Sequence, residues 1–112
     1  MTIAILAGLT VDAAQCQETK LPVLDAFKTC NASAMLRGPI KLPGGLIVTK
    51  IKKENDSMGT RIELDFNKRA DPNKENQAGM IKRLTGYDFT DLSKYEIDEE
   101  DGNPWIACRA PK

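Results

Sequence analysis

The chain has 112 residues, 41% hydrophobic and 29% charged, which is the composition and size of one globular domain spanning residues 1–112. No run approaches the roughly 18 consecutive apolar residues of a membrane-spanning helix, so no membrane partner is expected. The formal net charge is zero and histidine is absent, which removes Ser-His-Asp and Cys-His catalysis and every histidine-bearing zinc site.

The zero conceals an uneven distribution. Residues 1–19 carry two acids and no bases, residues 20–83 thirteen bases against seven acids, and residues 84–112 three bases against seven acids. A basic middle followed by an acidic end can mark two faces of opposite sign. The three cysteines, Cys16, Cys30 and Cys108, form no CxxC pair. That spacing gives no support to a disulfide framework or a metal site, and buried thiols in a cytoplasmic protein are expected instead. Asn31-Ala32-Ser33 matches the glycosylation sequon, read as chance without a secretory signal.

In chain order, Thr2 to Leu9 is a short apolar run that reads as a buried strand. It lacks a basic n-region, and Asp12 falls where a cleavage region would have to sit, so it does not read as a signal peptide. Thr10 or Asp12 then caps a short helical turn. Pro22 opens a helix from about 22 to 36, with Val23, Phe27, Cys30 and Ala34 recurring at helical spacing. Gly38-Pro39 and Pro43-Gly44-Gly45 break regular structure.

Residues 46–53 and 60–66 read as a hairpin. In the second strand Thr60, Ile62, Leu64 and Phe66 alternate with Arg61, Glu63 and Asp65, one face buried and one wet. The turn is expected within Asn55–Gly59, with Gly59 available for positive φ. A register with Ile51 facing Ile62 sets Lys50 against Glu63 and Lys52 against Arg61, leaving part of the basic charge uncompensated.

Asp71-Pro72 reads as a helix start, with Gln77, Met80, Ile81 and Leu84 as the inner stripe and Gly86 as the stop. Residues 87–95 read as a loop with a helical turn capped by Thr90. Residues 98–103 read as an acidic turn around Asp101-Gly102, and Trp105–Arg109 as the last strand. The sum is an α+β fold of β-α-β-β-α-β order, ferredoxin-like, with two helices on one face of an antiparallel sheet. The alternative is a small OB-like barrel.

No phosphate-binding loop is present, and the acids before Gly102 miss the EF-hand spacing, so neither cofactor nor metal is expected. The pattern suits a non-catalytic binding protein, a small adaptor or inhibitor of another protein. Its candidate contact residues are Lys50, Lys52, Lys53 and Arg61 at the hairpin, Lys82 and Arg83 on the second helix, and Tyr87, Tyr95 and Trp105 in the acidic third. The alternative is a single-stranded nucleic-acid binder using the lysines, although the aromatics that stack on bases are missing from the central strands. A carboxylate or metal-dependent enzyme built on Glu63 and Asp65 comes third.

Overall fold

The computed structural model describes residues 21–31, 33–34 and 37–111. The strand expected at Thr2–Leu9, the cap that follows it and Cys16 lie outside the described residues. The described chain runs α1 (Pro22–Lys28), β1 (Ile40–Lys41), β2 (Ile47–Asp56), β3 (Gly59–Phe66), α2 (Gln77–Thr85), β4 (Tyr95–Glu100) and β5 (Asn103–Pro111). The strands form one antiparallel sheet in the order β1-β2-β3-β5-β4. The fold is α+β as expected. Its order departs from β-α-β-β-α-β, because three strands precede α2 and two follow it.

β3 lies at the centre, with β2 on one side and β5 on the other. Its alternation is as read from the sequence: Ile62, Leu64 and Phe66 are buried against both helices. The turn is tighter than expected, only Ser57 and Met58, because Asp56 pairs with Gly59 and the Asp56 carboxylate accepts the Met58 N–H at 2.8 Å. Gly59 takes φ 127°. The shorter loop moves the register by two residues, so Leu64, not Ile62, faces Ile51. Lys52 therefore faces Glu63, Lys50 faces Asp65, and Arg61 faces Glu54. The Lys52–Arg61 repulsion inferred from the sequence does not exist.

α1 is half the expected length, and the reason sits at its C-terminus. Asn31 N–H donates to the Ala26 carbonyl at 2.8 Å and Cys30 N–H to Phe27 at 2.9 Å, the paired bonds of a Schellman stop. The left-handed residue in that stop is Cys30, with φ 49°, where glycine is usual. Cys30 is also disulfide-bonded to Cys108 on β5, across 78 residues, which corrects the expectation of free thiols at both positions. Phe27 of α1 forms a cluster with Phe89 and Tyr95, with ring centroids 5.2–5.6 Å apart.

α2 begins later than Asp71-Pro72 predicts. Asp71 instead closes a turn, accepting from Lys74 and Glu75, and Asn76 caps the helix by accepting the Gly79 N–H at 2.8 Å. The stripe of Gln77, Met80, Ile81 and Leu84 does face the sheet, and Gly86 ends the helix at φ 84°. Buried Gln77 is satisfied on both sides of its amide, donating to Lys68 O at 3.1 Å and accepting from Ala70 N at 3.0 Å. Gly44 packs beneath Leu84 with φ 74°, so a side chain there would meet Leu84 and a strained backbone together. The acidic stretch expected to be mostly turn is β4, joined to β5 by Asp101-Gly102 with φ 52° and 80°, the paired positive angles of a tight hairpin.

The Cys30–Cys108 bond closes a long loop, and the unfolded-chain entropy it removes is worth about 4 kcal/mol. Replacing both cysteines with serine lowers stability in guanidinium denaturation by about that amount. Reductant lowers the native protein similarly and leaves the double variant unchanged. Equal stability of the two proteins in oxidising buffer would refute the tie.

Candidate functional site on the helix-free sheet face

The outward positions of four strands build one surface opposite the helices. Across it, Lys50, Lys52 and Glu54 on β2 face Asp65, Glu63 and Arg61 on β3. These in turn face Trp105, Ala107 and Arg109 on β5, and Asp98 and Glu96 on β4 lie beyond. Ala107 is small, so side chains reach over it: Arg61 Nε lies 3.4 Å from Glu96 Oε1, a contact between strands that are not neighbours. Arg109 does the same in the other direction, reaching Asp56 on β2 at 2.8 and 2.9 Å. Lys52 comes within 4.0 Å of Glu100. The Arg61–Arg109 opposition in the ladder is thus relieved, each arginine being held by acids on a different strand.

Glu63 is the centre of this lattice. Its side chain is only 7% exposed, yet its carboxylate meets Arg61 Nη1 at 2.9 Å and Lys52 Nζ at 3.3 Å. Asp65, two residues on, lies 3.8 Å from the same Lys52, and its buried Oδ1 has no hydrogen-bond donor. Burial, then the hydrogen bond and charge of Glu63, push the Asp65 carboxyl up to about 6, against the opposing pull of Lys52 and Lys50. Burial also acts to raise Glu63, but its hydrogen bonds with Asp65, Arg61 and Lys52 outweigh it and hold Glu63 below the ordinary glutamate value. The pair therefore divides its protonation unequally: Asp65 takes up a proton as pH falls through about 6, and Glu63 stays ionised against the two cations. Arg61 completes the site by lying over the Trp105 ring, 5.0 Å from its centroid.

The structure separates the residues singled out in the sequence. Lys50, Lys52, Arg61 and Trp105 share this face. Lys53 points to the other side, where its Nζ donates to Ala34 O at 3.4 Å. Lys82 and Arg83 lie on α2, paired with Asp88 at 3.3 Å and Glu75 at 2.6 Å. Tyr95 is in the core, donating to Lys28 O at 3.1 Å, and Tyr87 is half-buried between Asp25 (2.7 Å) and the Leu21 N–H (3.2 Å). The expected aromatic surface thus reduces to Trp105. The partners missed from sequence are Asp56, Glu96 and Arg109. Counting from a two-residue turn at Ser57-Met58 fixes the β2–β3 register, but Glu96 needed β4 to be recognised as a strand.

Because the folded Asp65 binds its proton more tightly than the unfolded chain does, its contribution to stability is complete below about pH 4 and is lost as pH rises through about 6. Asp65→Asn, which fixes the neutral form, stabilises the protein at pH 7.5 by on the order of 1–3 kcal/mol. The gain shrinks to nothing near pH 4. Thermal unfolding at the two pH values checks this, and equal effects at both would sink the assignment. No protein-family model, no curated protein and no solved structure matches this chain.

Proposed function

We propose that the protein is a non-catalytic binding protein, an adaptor or inhibitor that engages another protein through the helix-free face around Arg61 and Trp105. The observation that carries this reading is the charge lattice: Lys52, Arg61 and Arg109 each have a carboxylate within 3.3 Å. Cations already neutralised release few counterions from a phosphate backbone, so the nucleic-acid reading loses its principal support. The enzyme reading is weakened in the same way. Arg61 and Lys52 sit on the Glu63 carboxylate where a metal or a substrate proton would have to be. A mixed-charge surface with a half-buried tryptophan under an arginine has the composition of a protein–protein hot spot.

The cytoplasmic setting expected from the sequence gives way in this reading to an oxidising one. Cys30–Cys108 ties the C-terminal end of α1 to the sheet, and structural disulfides persist where thiols are not kept reduced. Among the described residues no helix is long and apolar enough to cross a membrane.

The tagged protein is expected to retain a protein partner after nuclease treatment, and Trp105→Ala to weaken that retention about tenfold, the loss of one hot-spot anchor. Circular dichroism checks that the variant is folded. Labelled single-stranded oligonucleotides are expected to show no low-micromolar binding across a salt series. Tight, steeply salt-dependent binding instead overturns the proposal in favour of nucleic acid.

A further inference from the structure

β4 is the last strand of the sheet and pairs only with β5 among the described residues. Pro104, opposite Glu99, has no N–H, so that pair exchanges no ladder bonds. By the period of two, Tyr95, Ile97 and Glu99 all turn their backbone groups outward. Tyr95 N–H is taken by Asp91 O at 3.1 Å and Glu99 N–H by the Asp98 side chain at 2.7 Å. Among the described residues the N–H and C=O of Ile97, at the middle of the edge, have no hydrogen-bond partner.

Beside that edge, between β4 and the start of α2, runs a groove of about 440 Å³. Ala70, Pro72, Ile97 and Pro104 give it an apolar lining, and at its rim stand Asp98 and Glu99, the latter paired with Arg69 at 3.1 Å. From Tyr95 to Asn103 the chain carries five carboxylates and no base. A second copy of this strand brought against it would set carboxylates opposite carboxylates, so the edge rejects its own kind.

We propose that the β4 edge takes an extended segment of another protein as an additional strand, one whose side chains alternate basic and apolar. The alternation follows from the geometry. Successive side chains of an added strand point to opposite faces. On the helix-free face they meet Glu96, Asp98 and Glu100, and on the other they drop beside Ile97 and Pro104 into the groove. The main-chain bonds to Ile97 fix the register, as in other strand additions. This inference rests on the reading of the protein as a binder, but not on Trp105 as its anchor.

The probe is a short labelled peptide of alternating lysine and valine, followed by fluorescence anisotropy and by amide hydrogen exchange of the folded protein. The expected result is saturable binding that slows exchange at Ile97. Asp98→Lys with Glu96→Lys weakens it by at least about tenfold, as does a peptide with glutamate in place of lysine. Proline at alternate valines abolishes it with the charge intact, which separates strand addition from simple charge attraction without touching the fold. No binding, or binding with exchange at Ile97 unaltered, overturns the proposal. Partner capture that survives Trp105→Ala while the peptide still binds the native protein counts against Trp105 as the anchor instead.

Discussion

Leu64 faces Ile51 across one ladder and Ile106 across the other, and that row of three aliphatic side chains holds the sheet in register. Leu64 and Ile106 are fully buried, each worth about 1.5–3 kcal/mol relative to exposure. A slip of one residue in β3 would exchange Ile62, Leu64 and Phe66 for Arg61, Glu63 and Asp65 beneath the helices, which no compensating contact could support. The buried face therefore dictates the charged one. Once Leu64 is placed, Glu63 must lie between Lys52 and Ala107, and Arg61 must lie between Glu54 and Arg109.

That consequence explains why so many charges can crowd one side of a small sheet. A buried carboxylate is costly unless paired, and Glu63 is paired twice. Asp65 has only the more distant share of Lys52, and it answers by keeping its proton to higher pH rather than by finding a second cation. Such a lattice contributes less to stability than an apolar layer of equal volume would, since desolvation offsets most of the attraction. Its distinctive property is reach. Arg61 to Glu96 and Arg109 to Asp56 link strands that share no backbone bonds, so the relative twist of the two hairpins is held by side chains as well as by the β3–β5 ladder.

How much of this was legible depended on whether a signal was local. The β3 alternation, the helical stripe from Gln77 to Leu84, the stop at Gly86 and the Asp101-Gly102 turn are local, and the structure keeps all of them. The start of α2 was misplaced because Asp71-Pro72 carries the local signature of a helix start, whereas the cap is Asn76, whose side chain accepts the Gly79 N–H. The end of α1 was hidden because a cysteine occupies the left-handed position that glycine normally announces. The disulfide itself joins residues brought together by tertiary structure, and cysteine spacing alone cannot reveal it. β4 was missed for a different reason. Its acids have low strand propensity, and the strand exists because Tyr95 and Ile97 pack inward against Cys108 and Ile106. For the candidate site, the alternation placed Arg61, Glu63 and Asp65 together on one face, but a register two residues out hid the partners that neutralise them.

The same acids that disguised β4 give the sheet its electrostatic character. At the centre, on β3, each carboxylate lies within reach of a β2 lysine or an arginine, so the surface there is close to neutral. Moving outward the cations thin out: Arg61 and Arg69 reach Glu96 and Glu99 from elements that are not β4's neighbours, and β4 supplies none of its own. The rim is thus acidic around an unpaired backbone edge. Repulsion between such edges would oppose the joining of two copies sheet to sheet, while the backbone groups of Ile97 have no partner among the described residues. In the proposed strand addition a basic strand would meet attraction where a second copy would meet repulsion, so one charge pattern would both protect the edge and select its occupant.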